Sequence, residues 1–444
     1  MKFDLQNKRV SILGAGKTGI ATAEKVKNIG GIPFVSDSGN IDKNALDRLK
    51  ENEIKFESGG HSDAVLECDL MILSPGVLPG SEIVLKARSR GLIVWPEIEL
   101  AYKICNGKII GVTGSNGKTT TTALIGEIFG NSGISAIVCG NIGNPFIKVA
   151  DEIPADGYAV VELSSFQLEI IDGFKADAAV ILNITPDHLD RHGDFEKYSS
   201  AKLRIFENQD KDDFSILNHD DNYLKNKCGD LASKMIWFSV ESKDTEIHAE
   251  PGGKLYINNK ELINSNDIKL RGLHNLSNVC AAVAVANSIG VDNDKIIDTL
   301  KSFAGVEHRL EFVRLIGGVS FINDSKGTNV DSVFWALKAV STPVILIAGG
   351  RDKAGDFSRL NDLIKDKVKG VLLIGEAADK IERVWMHLTE CMRAPDMKEA
   401  VSIAYGDARD GDTVLLSPGC ASFDMYGNFE ERGNDFKKAV MALK

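Results

Sequence analysis

The stretch "GVTGSNGKTTTT" (Gly111–Thr122) constrains this chain more than any other. It follows the apolar run "KIIGV" and precedes a helical pattern, so a strand feeds a glycine-rich turn that opens a helix. Backbone N–H groups at such a turn face anions, which makes it a cradle for phosphate. The usual phosphate loop reads G-x-x-x-x-G-K-[ST]. Here Val112 stands where the first glycine is expected, and glycines fall at 111, 114 and 117. The physics survives the variation: Lys118 supplies a positive charge for the β- and γ-phosphates, and Thr119 a hydroxyl for Mg²⁺. An ordinary αβ turn would not need Lys-Thr at that point.

The same opening occurs three times, as "KRVSILGAGKTG", "GKIIGVTGSNGKT" and "GVSFINDSKGTN". Strands alternating with helices imply parallel sheets with right-handed crossovers, and 444 residues exceed one hydrophobic core. The expected fold class is therefore α/β in three domains, at 1–106, 107–309 and 310–444. Strands are expected at Val10–Leu13, Pro33–Ser36, Leu70–Leu73 and Ile93–Val94, with a helix over Thr18–Ile29. The middle segment predicts strands near Ile109–Val112, Tyr158–Leu163 and Ala179–Asn183. A polar, hairpin-like insert around Lys234–Leu270 and an alanine-rich helix at Leu276–Ser288 follow. The last segment predicts strands at Val319–Ile322, Val344–Ala348, Val371–Ile374 and Thr413–Leu416.

Composition excludes some functions. Lys and Arg total 52 against 63 Asp and Glu, a net charge of −11, so the basic field needed for non-specific nucleic-acid binding is missing. Seven scattered cysteines form no CxxC, which points to neither a zinc site nor a redox pair. "MKFDLQNKRV" has no apolar signal core, and no apolar run reaches membrane-spanning length. A reduced cytoplasmic protein is expected, with neither nucleic acid nor membrane insertion.

Two further runs end apolar strands. "VVELSSFQLE" places Glu162 where a parallel sheet presents its ligand-binding edge, although a lone Glu there is more often a solvated loop charge. "LNITPDHLDRH" crowds Asp187, His188, Asp190, Arg191 and His192 into six residues; the bland alternative is a polar loop with a helix cap at Thr185 or Asp187. Three strand ends on one sheet edge make a natural Mg²⁺–triphosphate site, because hard cations take oxygen ligands. Lys202, in "SAKLRIFEN", reads on sequence alone as a surface helix lysine.

The first glycine loop, with Gly14, Gly16 and Gly19 and with Asp37 ending the next strand, satisfies the dinucleotide pattern. That alone would suggest NAD. The ATP-type loop and the acidic-histidine run belong instead to metal–phosphate chemistry, and the same backbone geometry holds any diphosphate.

Taken in order, "GVTGSNGKTTTT", "ELSSFQLE", "LNITPDHLDRH", "AKLRIFEN", "GLHNLSN", "HRLE", "INDSKGTN" and "LSPGCASFDMYGNFEERG" resemble the Mur ligases, and most of all their D-glutamate-adding branch. The match runs from the first glycine loop almost to the last residue. The resemblance implies an N-terminal Rossmann-like domain for a UDP-sugar, a central ATPase domain and a C-terminal domain like dihydrofolate reductase. It implies ATP-dependent joining of D-glutamate to UDP-N-acetylmuramoyl-L-alanine, giving ADP and phosphate, with two Mg²⁺ ions (or Mn²⁺) and no NAD, by a monomer. A sibling ligase with another amino-acid acceptor, such as L-glutamate, is the alternative. A phosphate-loop motor, which would leave the third segment without a purpose, and a nicotinamide dehydrogenase are the rivals from other classes.

By the same resemblance Gly114, Asn116, Gly117, Lys118, Thr119 and Thr120 hold ATP phosphates, with Lys118 on the γ-phosphate. Thr119, Glu162, His188 and a carbamylated Lys202 bind metal, the modification turning a cation into a carboxylate-like ligand. Asn275 and Asn278 lie near the adenine, and Arg309, Asp324 and Lys326 contact nucleotide. Ala15, Thr18, Asp37, Ser38, Ser74, Gly76, Asn141, Ser164 and His188 contact the UDP-sugar. Thr328, Lys353, Ser422, Phe423 and Phe429 form the D-glutamate pocket. Lys118, His188 and Lys202 are the expected catalytic residues.

Overall fold

A computed structural model describes residues 3–270, 272–340, 342–353 and 355–443, apart from the side chain of Asp190. The strands fall into three sheets. The first contains β1 (Arg9–Leu13), β2 (Ile32–Asp37), β3 (Lys55–Ser58), β4 (Leu70–Leu73) and β5 (Ile93–Pro96), in the order β3-β2-β1-β4-β5. All its pairings are parallel. The order reverses between β1 and β4, and a crevice opens at such a switch point, outside the carboxyl ends of the strands. The helix Lys17–Asn28 packs so closely on β1 that a Cβ at Gly19 would lie 1.8 Å from the Gly14 carbonyl oxygen. Glycine is required there.

The second sheet has nine strands: β6 (Lys108–Thr113), β7 (Ala136–Gly140), β8 (Tyr158–Glu162), β9 (Ala178–Ile181), β10 (Phe214–Asn218), β11 (Lys234–Ser239), β12 (Ile247–Ala249), β13 (Lys254–Ile257) and β14 (Lys260–Asn264). Their order is β14-β13-β12-β11-β10-β9-β6-β8-β7. The switch point is β6, and the phosphate-loop sequence follows it. β8 and β9 are apolar and buried almost throughout, as strands covered on both faces by helices must be. The expected hairpin-like insert is a correction. β11 joins the sheet in parallel, and only β12–β14 run antiparallel, as an extension of the same sheet.

The third sheet has β15 (Glu311–Ile316), β16 (Val319–Asn323), β17 (Val344–Gly349), β18 (Val368–Ile374), β19 (Glu390–Arg393) and β20 (Thr413–Leu416), ordered β15-β16-β20-β17-β18-β19. β15 is antiparallel and the rest parallel. The architecture is thus α/β in three domains. Chain contacts group the first two sheets into one compact unit, and group 185–193, 268–276 and 303–444 into another.

Candidate active site

The loop between β6 and the helix Lys118–Asn131 is built around two glycines with left-handed or extended positive φ, Gly114 at +148° and Gly117 at +85°. A Cβ on Gly117 would stand 2.2 Å from Asn278 Oδ1, so the loop seats directly on a buried asparagine. Asn183 fixes the other side: its Oδ1 accepts the Asn116 N–H at 2.8 Å and its Nδ2 donates to the Asn116 carbonyl at 3.1 Å. The Lys118 ammonium turns back to donate to the carbonyls of Gly114 (2.7 Å) and Ser115 (2.8 Å). Thr119 and Thr120 are buried on the first helical turn.

Glu162, the last residue of β8, stands level with Val112 of β6 and is buried rather than solvated. Its Oε1 accepts from Asn141 Nδ2 at 2.9 Å, and its carbonyl accepts the Asn141 N–H at 2.9 Å. Lys202 corrects the surface reading, since it is 2% exposed. Its Nζ donates to the Gly114 carbonyl at 2.9 Å and lies 4.9 Å from the Tyr198 ring centroid. Its helix is amphipathic in the wrong sense for a surface lysine, burying Tyr198, Ser199 and Ala201 beside it.

Among the described residues no three His, Cys, Asp or Glu side chains gather into a metal cage. The donors present are a hydroxyl and a carboxylate, both hard oxygens at a phosphate loop. That set suits Mg²⁺, which binds through one or two carboxylates and completes its shell with water and substrate phosphates. The residues fit the ion.

The first unit also holds a cleft of about 960 Å³ at the β1/β4 switch point. Thr18, Asp37, Ser38, Ser74, Gly76 and Asn141 line it, all expected from sequence. Ala15 and Asp37 are brought together: Asp37 Oδ2 accepts the Ala15 N–H at 2.6 Å and Oδ1 the Gly39 N–H at 2.8 Å. Ser164 caps the helix Ser165–Leu168 through a reciprocal box with Gln167. Lys17, His61 and Lys86 also line the cleft. Sequence reasoning passed over them, since a lone histidine or lysine in a glycine-rich loop carries no periodicity. Lys17 alone had a signal, as the polar residue inside the first glycine loop.

In the second unit, His188 takes a left-handed conformation (φ 53°) and is itself the N-cap of the helix Leu189–His192, with no side-chain cap. The cap expected at Thr185 or Asp187 is therefore displaced. Thr185 and Asp187 hold 329–331 instead: Thr185 Oγ1 donates to Asp331 Oδ2 at 3.2 Å, and Asn329 Nδ2 to Asp187 Oδ2 at 3.0 Å. Asp190, as a side chain, lies outside the described residues.

Asp324 is buried at the end of β16, and burial raises its carboxyl to about 6 despite the Ser417 hydroxyl at 2.7 Å and the nearby Arg309 charge. Lys326 Nζ lies 5.0 Å from the Phe429 ring centroid, and the Thr328 N–H bonds the Lys326 carbonyl. Gly419 donates its N–H to the Gly327 carbonyl at 2.8 Å, tying the two loops together. Ser422 is buried, Lys353 half-buried and Phe423 63% exposed. Asn275 groups with this unit and Asn278 with the first.

A phosphate loop with a neighbouring strand-end carboxylate, beside a separate cleft on a Rossmann-like sheet, is the arrangement of a phosphate-handling α/β enzyme. Three family models match in order: the MurD N-terminal domain over residues 9–83, the Mur ligase middle domain over 112–286, and the Mur ligase glutamate ligase domain over 308–420. The chain is 43% identical, over 100% of both chains, to the UDP-N-acetylmuramoylalanine--D-glutamate ligase of Clostridioides difficile (strain 630). It is equally 43% identical, with full coverage of both, to the protein of that name from Caldanaerobacter subterraneus. The fold is similar to the UDP-N-acetylmuramate-alanine ligase MurC of Thermotoga maritima, with TM-score 0.64 and 20% identity over 99% of this chain and 100% of that one. The chain belongs to the Mur ligase family. It is an ATP-dependent amide-bond-forming ligase.

Proposed function

We propose that the chain joins D-glutamate to UDP-N-acetylmuramoyl-L-alanine, with ATP giving ADP and phosphate, as a cytoplasmic monomer in peptidoglycan synthesis. One observation carries this reading. Asn141 lines the 960 Å³ cleft and also donates to Glu162, so the nucleotide-sugar cleft and the phosphate-transfer edge share a residue. The N-terminal family match and the names of the full-length relatives support the same substrates. The domains are 1–106 for the UDP-sugar, 107–309 for ATP and 310–444 for the amino acid. Both nucleotide sites are then accounted for, and NAD has no part.

A carboxylate is a poor acyl donor, so its oxygen first attacks the γ-phosphorus and ADP leaves. The neutral amine nitrogen then attacks the acyl carbon, forming the N–C bond of a tetrahedral intermediate; its extra proton passes to solvent, the C–O bond breaks, and phosphate leaves. Lys118 and the N–H groups of residues 114–120 hold the γ-phosphate in line and balance its charge. Asn141, bonded to Glu162, fixes the sugar nucleotide against that edge. Thr119, Glu162, His188 and a carbamylated Lys202 would hold two Mg²⁺ ions (or Mn²⁺), which would supply the charge neutralisation that anionic reactants need in order to meet. Asn275, Asn278, Arg309, Asp324 and Lys326 serve the nucleotide; Thr328, Lys353, Ser422, Phe423 and Phe429 receive D-glutamate.

The test is phosphate release from ATP and Mg²⁺ with UDP-N-acetylmuramoyl-L-alanine, comparing D-glutamate, L-glutamate and no amino acid. Release should require both the sugar nucleotide and D-glutamate. Release with L-glutamate alone would make it a sibling ligase, and release that ignores both additions would end the substrate reading.

A further inference from the structure

Lys353 is the last of three consecutive charges, the run "RDK" just beyond the end of β17. The first two are tied to one short segment that follows β18, the neighbouring strand. Arg351 Nη2 donates to Glu376 Oε1 at 3.0 Å, and Asp352 Oδ2 accepts from Lys380 Nζ at 2.6 Å. Lys353 alone of the three forms no ion pair among the described residues. Two charges of the run thus hold the backbone, and the third is left for a ligand.

An exposed ion pair by itself contributes little, and Arg351–Glu376 is of that kind. Lys380 does more than pair. Its ammonium also donates to the Gly355 carbonyl at 2.8 Å, while Asp352 Oδ1 accepts the Gly355 N–H at 2.9 Å. Each member of the pair therefore takes one backbone group of Gly355. Lys380 Nζ also stands 5.4 Å from the centroid of the buried Phe357 ring, within cation–π range. Gly355 has no room to shift toward Val330, whose Cγ2 would lie 2.8 Å from a Cβ there. Upstream, the Arg351 N–H and carbonyl pair with the carbonyl and N–H of Ala421, each at 2.9 Å, beside Ser422. The backbone is therefore fixed on both sides of Lys353.

We propose that Lys380 is a positioning residue for the amino-acid substrate: with Asp352 it brackets Gly355, and so confines Lys353 to where its ammonium meets a carboxylate of a dicarboxylic amino acid. Two physical effects act together. A lysine carries its charge on a flexible stem, so a fixed backbone beneath it reduces the ordering that binding must supply. Lys380 also neutralises Asp352. Without that partner, the Asp352 carboxylate would be an unpaired anion next to Lys353, competing for its ammonium and repelling the substrate.

This rests on the reading of Lys353 as a D-glutamate contact, and the test separates the two. Phosphate release by the full chain is measured with ATP, Mg²⁺ and UDP-N-acetylmuramoyl-L-alanine while D-glutamate is varied. Lys380→Met should raise the Michaelis constant for D-glutamate about tenfold or more, with kcat and the constant for ATP changing by less than about twofold. Lys380→Arg, which still donates to both acceptors, should keep part of the affinity. Adding Asp352→Asn to Lys380→Met should recover part of the loss, since the amide oxygen still accepts the Gly355 N–H without the charge. In a Lys353→Met background, Lys380→Met should have little further effect, because it acts through that lysine. Lys369→Met is the control, as it breaks a pair with Asp412 at the amino ends of β18 and β20, and it should leave the D-glutamate constant unchanged. An unchanged constant in Lys380→Met, an equal rise for ATP, a rise as large in Lys369→Met, or a full further loss on top of Lys353→Met would overturn the role of Lys380 alone. An unchanged constant in Lys353→Met would overturn the reading of Lys353 and this inference with it.

Discussion

The fully buried carboxylate of Glu99 accepts the backbone N–H of Phe174 at 2.8 Å. The same carboxylate takes the N–H groups of Asp172 and Gly173, each at 2.9 Å, with Lys103 one helical turn away at 3.3 Å. One side chain from the helix that follows β5 thus satisfies three consecutive amides of the turn that precedes β9. Buried amides left unpaired cost roughly 1–3 kcal/mol each. Glu99→Ala should lower unfolding free energy by at least about 3 kcal/mol, read in urea titrations. A loss under 1 kcal/mol would mean that water replaces the carboxylate.

Two residues earlier, Glu97 is buried with a different balance. It accepts the Ile147 N–H at 2.8 Å, and its Oε2 has no hydrogen-bond partner among the described residues. Burial raises it from 4.5 to about 7, outweighing the bonds from Ile147 and Gln167. A folded-state value above the unfolded one favours the protonated form in the fold. Its contribution is present below the unfolded value and is lost as pH rises through 7. Glu97→Gln should remove this loss, worth on the order of 3 kcal/mol in full. Melting temperatures should fall less steeply for the variant between pH 5 and about 7, the two curves running parallel from pH 8 to 9; curves parallel over the whole range would count against a titrating Glu97.

Gly117 is held at φ +85° with Asn278 Oδ1 2.2 Å from where a Cβ would be. Gly117→Ala faces both a conformational cost of roughly 1–2 kcal/mol and a clash with a polar atom. ATP affinity should drop about tenfold or more, while UDP binding at the first cleft stays unchanged. Adding Asn278→Ala should relieve the clash and leave the φ penalty. Equal ATP affinity in Gly117→Ala would show that the loop adapts.

Lys202 stands buried against the Gly114 carbonyl. Lys202→Ala should cut amino-acid-dependent phosphate release by at least about 10²-fold, and added bicarbonate should not restore it. The unaltered protein supplied with ¹³C-bicarbonate should show a carbamate carbon that the variant lacks. Full activity in Lys202→Ala would remove this lysine from the metal site.

The sequence made the phosphate edge readable because its chemistry is local. Gly114 to Thr120 are contiguous, and Glu162 ends an apolar strand, whereas Lys202 read on its residues alone as a surface helix lysine and is buried. Strands rich in Val, Ile and Leu, such as Leu70–Leu73 and Thr413–Leu416, fall where the apolar runs place them. Short or mixed strands, such as Lys55–Ser58 and Glu390–Arg393, escaped, since four residues with exposed ends and no fully buried position carry almost no period. β11 was taken for part of a hairpin because parallel pairing leaves no turn signature. His61, Glu97 and Glu99 were invisible for a related reason. Their meaning lies in partners 25, 50 and up to 75 positions away, and sequence spacing does not report such pairs.

Arg432 shows how such distant pairing reaches the loops proposed to receive the amino acid. It is 1% exposed and donates to the Cys420 carbonyl at 3.1 Å, the Ser325 carbonyl at 2.7 Å and Ser325 Oγ at 3.1 Å. Burial lowers it to about 10, so it remains charged at neutral pH. It therefore clamps the loop carrying Lys326 and Thr328 to the loop carrying Ser422, and Ser325 Oγ bonds the Phe429 carbonyl at 2.8 Å besides. Arg432→Met keeps the apolar stem and removes the fork. The Michaelis constant for D-glutamate should rise about tenfold or more, with that for ATP changing far less. Arg432→Lys should recover little, because one ammonium cannot span the planar set of acceptors. Equal rises for both substrates would mean that the whole domain has loosened and that the clamp is not specific to the amino-acid loops.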